Sequence, residues 1–199
     1  MISKIFFLDF IKNKKNLILK FIIPFIIVFT AFQFGYGRIT LVMLLIFTVI
    51  TGAGLKIVKL KTSGVYNRLI ISPIKKSNLF FEITIVTSFF YFIQFIPALI
   101  VTIFYENIMV IIYSFIAILL VVLCGILIGI HAKSLGEIHL YSIIFLIPLI
   151  GFTMTNSSFS HIFPFASIFH SNYTFLTLFY PVIFFGGLFL LLLLDVKRL

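Results

Sequence analysis

Apolar residues fall in long unbroken runs along this chain, and polar residues collect between them. In Leu17–Phe34, Ile39–Val58, Leu79–Phe104, Ile108–Ile130, Leu140–Thr155 and Thr174–Leu194, most side chains are aliphatic or aromatic. A bilayer core about 30 Å thick takes about 20 apolar residues in a helix, so these runs (17–34, 39–58, 79–104, 108–130, 140–155, 174–194) predict transmembrane helices. Strands of a membrane barrel would alternate apolar and polar positions. These runs do not alternate, and a helix satisfies its own backbone in lipid. The pattern predicts an all-α integral membrane protein with six transmembrane helices, a single transmembrane domain over 1–199.

Two segments follow other patterns. In 1–16, Phe6, Phe7, Phe10 and Ile11 share one helical face, with Lys4, Asp9 and Lys12 largely opposite. This suits an N-terminal interfacial helix lying on the membrane surface; Lys14 interrupts the face, and a disordered basic leader is the alternative. Asn156–Tyr173, "NSSFSHIFPFASIFHSNY", is too rich in Phe and Ile for a solvated loop and too rich in Ser, Asn and His for a span. It follows a short fifth helix that contains Pro148 and Gly151. The expectation is an outer re-entrant hairpin between helices five and six, packed on protein or a cavity. An aromatic interfacial loop is the alternative.

The longest polar interval is "TSGVYNRLIISPIKKSN", Thr62–Asn78. Within it Val65, Tyr66, Leu69 and Ile70 share one face at helical spacing. Ser63 and Gly64 stand where a cap belongs, and Pro73 stops the helix, pushing Ser72 toward extended geometry. The segment therefore predicts a short cytoplasmic amphipathic helix of about two turns, too short to be stable alone. Its apolar face needs a receiver, either lipid headgroups, which Lys75 and Lys76 favour, or a groove on a soluble partner.

Composition agrees with the pattern: 62% of the 199 residues are hydrophobic and 10% charged, against about 25% charged in a soluble domain. The net charge of +10 could suggest nucleic acid, but of the 15 lysines and arginines all but Arg38 fall on one side of a six-helix topology. Such asymmetry places both termini and the 62–78 loop in the cytoplasm and the chain in the plasma membrane. No basic groove-reading motif points to nucleic acid. The first apolar run is short, contains Asp9 and lacks a cleavage site, so no signal peptide is expected. The Phe-, Ile- and Lys-rich composition suggests an AT-rich prokaryotic genome. Cys124 stands alone in an apolar run and reads as a small buried hydrophobe.

Catalytic chemistry finds little support. The acids Asp9, Glu82, Glu106, Glu137 and Asp195 do not pair at helical spacing, and neither HExxH nor GxxxxGK[ST] occurs. The chain is expected not to be an enzyme, to hold no metal and to bind no cofactor. His131, His139 and Glu137 read as loop solvation. "GILIG", Gly125–Gly129, permits close helix approach, and "GAG", Gly52–Gly54, allows a bend or small-residue packing. Polar side chains inside the runs include Thr48, Thr51, Thr84, Thr87, Ser88 and Gln94. Of these Thr48, Thr51, Ser88 and Gln94 are the candidates for a substrate pathway, with interhelical bonding the other role for Gln94.

"SGVYNRLIISPIKKSNLFF" resembles the cytoplasmic loop of type-2 ABC (ATP-binding-cassette) transporter permeases, the membrane subunits of ATP-driven exporters. That loop commonly carries an acid, Gly, a few residues, Arg-Leu, a small gap and Ser-Pro. Gly64, Arg68-Leu69 and Ser72-Pro73 match in order and spacing. Likeness extends over the chain, from the N-terminal helix through six spans to an outer hairpin in which Pro148, Gly151 and Pro164 follow the family's Pro, Gly, Pro. Two departures stand out: Lys59, Lys61 and Thr62 occupy the acidic position, and Glu82 lies near where a lysine is usual. The resemblance implies that Gly64, Val65, Tyr66, Arg68, Leu69, Ile70, Ser72 and Pro73 couple to an ATPase, with a second contact at Gly136 and Glu137. It implies two copies of an ABC ATPase subunit that bind ATP and Mg, and a second permease copy or paralogue. The cargo would be an extruded amphipathic or apolar substrate such as a peptide, drug or lipid. A non-transporting membrane assembly or immunity protein that tethers a cytoplasmic partner is the alternative.

Overall fold

The computed structural model describes residues 14–66, 71, 76–155, 164–170 and 175–197. Apolar runs become helices: α1 Lys14–Gln33, α2 Gly37–Thr62, α3 Lys76–Tyr105, α4 Val110–His131, α5 Leu135–Met154, α6 Pro164–His170 and α7 Phe175–Lys197. Residues 1–13, most of the expected interfacial helix, lie outside the described residues.

Three helices among the described residues are long and apolar enough to cross a membrane: Gly37–Thr62, Ser77–Tyr105 and Val110–His131. The chain is an all-α, multi-pass membrane protein. The expectation of six transmembrane helices is corrected to these three. Ile18–Gln33, Gly136–Gly151 and Val182–Leu192 are apolar helices of 10–17 residues. Apolar runs delimit spans by their apolar residues alone, whereas the helices that form from them also enclose polar ones, Lys20 in α1 and Glu137 and His139 in α5. The re-entrant hairpin is corrected as well. Its described part is one short helix, α6, opened by Pro164 and buried from Pro164 to Ile168.

Packing centres on α2 and α4, the most closely associated pair. Leu41, Leu45, Val49, Ala53 and Ile57 recur every four residues on α2 and are buried. They share the core with Tyr113, Ala117, Val121 and Ile128 of α4. α1 lies chiefly on α3, α5 on α2, and α6 and α7 on α4. Large apolar side chains outside the core, such as Ile18, Ile26, Phe89 and Ile144, are exposed, as lipid-facing positions are. In lipid the association rests on close van der Waals contact and not on expulsion of water.

Tight turns give the bundle two distinct ends. α1 reverses into α2 through Gly35, whose φ of +79° suits a residue without Cβ. α3 reverses into α4 through Glu106–Met109, where the Met109 N–H donates to Asn107 Oδ1 at 3.0 Å. These turns form one end, which carries Arg38. The opposite, basic end collects Lys59, Lys61 and Lys133 with the α4–α5 turn.

Candidate functional site

At the basic end, α2 closes with its last carbonyls occupied. Thr62 Oγ1 donates to the Lys59 carbonyl and Ser63 Oγ to the Leu60 carbonyl, both at 3.1 Å. The Ser63 and Gly64 N–H groups donate to the Lys59 and Lys61 carbonyls. Gly64 has φ +71°, a conformation that ends helices and favours glycine. Gly64 thus terminates the spanning helix as well as leading into the next segment. Val65 and Tyr66 are helical and Tyr66 is buried. Arg68, Leu69, Ile70, Ser72 and Pro73 lie outside the described residues.

Lys61 stands where the resemblance expects an acid, and it fastens α2 to α4. Its Nζ donates to the carbonyls of Ile130 at 2.6 Å, Ala132 at 2.9 Å and Gly129 at 3.4 Å. These carbonyls belong to the last turn of α4, which lacks intrahelical donors and carries partial negative charge. Lys56 lies inside α2, which runs on to Thr62. Its ammonium sits over the rings of Tyr91 and Phe90, 5.1 and 5.9 Å from their centroids, a cation–π arrangement.

α5 begins on a Ser134 N-cap, backed by Glu137 three residues on. Ser134 Oγ accepts from the Glu137 N–H at 3.2 Å, and Glu137 Oε2 accepts from the Lys133 N–H at 2.7 Å. The signal was present in the sequence as Ser-x-x-Glu before an apolar run. Glu137 therefore holds the start of α5, with Gly136 in its first turn. Ser134→Ala is expected to cost about 1 kcal/mol, measured as a lowered apparent Tm of the detergent-solubilised protein; an unchanged Tm would discount the cap.

Between the ends, Gly125 and Gly129 press α4 against α2. A Cβ at Gly125 would lie 2.7 Å from the Ile50 carbonyl oxygen and 2.8 Å from Ala53 Cβ; one at Gly129 would lie 2.7 Å from Ile57 Cβ and 2.8 Å from the Gly54 oxygen. The GxxxG face is thus engaged, and its counterpart is the GAG segment.

The polar residues proposed as a pathway do not act alike. Thr51 Oγ1 donates to the Phe47 carbonyl of its own helix at 2.6 Å, as Thr84 does to Phe80 and Thr102 to Ala98. Thr48 is half-buried, and Gln94 is buried. Thr87 and Ser88 are buried with no hydrogen-bond partner for their hydroxyls among the described residues. Pro148 and Gly151 lie exposed within α5, whereas Pro164 is buried.

A cleft of about 730 Å³ opens at the end opposite the lysines, lined by residues that include Phe32, Tyr36, Arg38, Tyr105, Glu106, Phe169 and His170. Phe32 stacks on Tyr105 with centroids 4.8 Å apart, and Gln33 Nε2 donates to Tyr105 Oη at 2.7 Å. Gly37 makes room for the Phe32 ring. Arg38 Nε pairs with Glu106 Oε1, and Arg38 Nη1 lies 3.5 Å from the Phe169 carbonyl. No spacing rule in the sequence could have joined Arg38 to Glu106, since Arg38 opens α2 and Glu106 lies 68 residues on, in the α3–α4 turn.

No family model, no curated protein and no solved structure matches this chain.

Proposed function

We propose that this chain is the membrane-spanning permease subunit of an ATP-driven exporter of the ATP-binding-cassette type. The observation that carries this reading is the chain between α2 and α3. Two membrane-crossing helices are joined there at the basic end by a segment that leaves α2 through a left-handed Gly64 and continues into Arg68-Leu69 and Ser72-Pro73. The six-span part of the resemblance no longer contributes; the position and order of the loop motif do. Excess lysine at that end supports a cytoplasmic location for it, within reach of a soluble ATPase.

On this reading the apolar face of the 65–71 segment docks in a groove on the ATPase. Two ATPase copies serve two permeases, this chain and a second copy or paralogue. ATP and Mg are bound by the ATPase. Closure of the ATPase pair displaces the loop, and the displacement passes to α2 and, through the Lys61 contact, to the end of α4. The cargo is an amphipathic or apolar molecule.

Co-expression with a nucleotide-binding subunit, followed by co-purification and ATPase assay in vesicles, tests the proposal. A stable complex with stimulated ATPase activity is expected; failure of any ATPase to associate would sink it. Complex formation without transport would favour the tethering alternative. Arg68→Glu or Leu69→Asp is expected to weaken ATPase docking by roughly 30-fold, about 2 kcal/mol at a binding hot spot, with membrane insertion intact. Insertion lost together with docking would instead assign these residues a structural role.

A further inference from the structure

The end of the bundle opposite the lysines carries a site that export by a coupling loop does not require. Its cleft joins the α1–α2 turn, the α3–α4 turn and the end of α6 around one mixed surface of charge and aromatic rings. We propose that this cleft binds an anionic amphiphile, with a phosphate or carboxylate head held by Arg38 and His170 and the adjoining apolar chain laid against Phe32, Tyr36 and Phe169.

The sign of the ligand follows from how the ion pair is presented. Glu106 is 8% exposed at its side chain and Arg38 44%. The carboxylate is turned inward and engaged, so the charge offered to the cleft is the guanidinium. A guanidinium has five N–H donors in a planar fork suited to oxyanions. The ion pair uses Nε, and the Phe169 carbonyl, at 3.5 Å, is a marginal acceptor for Nη1. The other donors have no partner among the described residues and remain for a ligand. His170 supplies a second polar group. Its Nε2 is buried without a hydrogen-bond partner among the described residues, and such an atom is costly to leave unmet. An oxyanion in the cleft would meet the guanidinium directly, and a turn of the His170 ring would bring Nε2 to it.

An apolar tail follows from the walls and the setting. Four of the lining side chains, Phe32, Tyr36, Tyr105 and Phe169, are aromatic. Phe34 and Phe104, next to lining residues in sequence, are 78% and 83% exposed. Aromatic residues at the ends of membrane helices belong at the lipid–water interface. A molecule that reaches the cleft through that interface carries a polar head and an apolar chain. The volume, about 730 Å³, lies within the range of small-molecule sites, roughly 300–1,000 Å³.

Titration of the purified chain in neutral maltoside micelles tests this, with dodecyl phosphate, inorganic phosphate, dodecanol and dodecyltrimethylammonium as probes. Saturable binding of dodecyl phosphate is expected, read by calorimetry, at concentrations where the other three do not bind. Arg38→Gln is expected to weaken that binding at least about tenfold through loss of charge-assisted bonds, and His170→Ala by a smaller factor. Arg38→Gln strands the inward carboxylate, so Arg38→Gln/Glu106→Gln, which removes both charges, serves as the variant that keeps a neutral pair. Equal affinity in that double variant and the wild type would overturn the assignment. So would binding of dodecanol or the alkylammonium as tight as that of dodecyl phosphate, or binding of inorganic phosphate alone as tight. The assay contains no ATPase, so its failure leaves the transport proposal standing, and failure of an ATPase to associate leaves the cleft standing.

Discussion

Gly129→Leu is expected to separate α2 from α4 and to leave little folded protein after extraction from the membrane. A Cβ at this position meets Ile57 Cβ at 2.7 Å and the Gly54 carbonyl oxygen at 2.8 Å. Neither is the flexible tip of a side chain, so no rotamer change relieves the contact, and the two helices must part. Even Gly129→Ala sets two effects against each other. Replacing a helical glycine by alanine contributes up to about 1 kcal/mol of helix propensity; overpacking costs about 1–3 kcal/mol. The contact should win for alanine, and leucine should reach or exceed the upper end of that range. For a chain of this size about 3 kcal/mol corresponds to an apparent Tm lowered by roughly 6–12 °C. Gly186→Ala is the internal control: nothing lies within 4 Å of a Cβ built there, so propensity alone acts and the Tm holds or rises slightly. Thermal unfolding of the three variants in detergent, followed by size-exclusion chromatography, separates the outcomes. If Gly129→Leu behaved like Gly186→Ala, the α2–α4 seam would not be the centre of the bundle.

The seam also shows what was legible in the sequence. "GILIG" marks a small-residue face because spacing of four places both glycines on one side of a helix. Its partner was not legible, because the counterpart depends on which helices meet. The existence and type of the helices followed from the apolar runs, and α2, α3 and α4 cross as expected. The number of spans did not follow, because a run's apolar count leaves out the polar residues, such as Lys20 and Glu137, that its helix encloses. Local chemistry is legible over short spacings. Ser134-x-x-Glu137 is a capping signal in four residues, and Thr51 could have been assigned to its own helix from the habit of threonine hydroxyls in membrane helices. The Arg38–Glu106 pair is the opposite case, since only the tertiary structure makes neighbours of two distant residues. Lys61 belongs with it. As a departure from a motif it looked like a flaw in the resemblance; in the structure it is a bond between helices.

Lys61→Met should therefore destabilise the basic end although it keeps the length and much of the shape of the side chain. Three carbonyls at the end of α4 lose a cationic donor, two of them at 2.6 and 2.9 Å. Hydrogen bonds to charged groups are worth about 1.5–3 kcal/mol where shielded. Lys61 is half-buried at the edge of the bundle, and partial exposure to solvent reduces the expected loss to about 1–2 kcal/mol. Lys61→Arg keeps the charge and should recover part of it; Lys61→Glu puts a negative charge against the negative end of the α4 dipole and should be the worst of the three. That order, Arg then Met then Glu, distinguishes a carbonyl cap from simple packing of the aliphatic stem, for which Met would be neutral. Hydrogen exchange of the amides around Ala132–Ser134, together with the apparent Tm, reads the effect at its source. Under the transport proposal the same contact links the loop after Gly64 to α4. Lys61→Met should then reduce ATP-driven transport more than it reduces ATPase binding, because docking surface and transmission to the helices are separate steps. A variant that lost ATPase binding and kept the stability of wild type would place Lys61 in the docking surface and remove it from the helix junction.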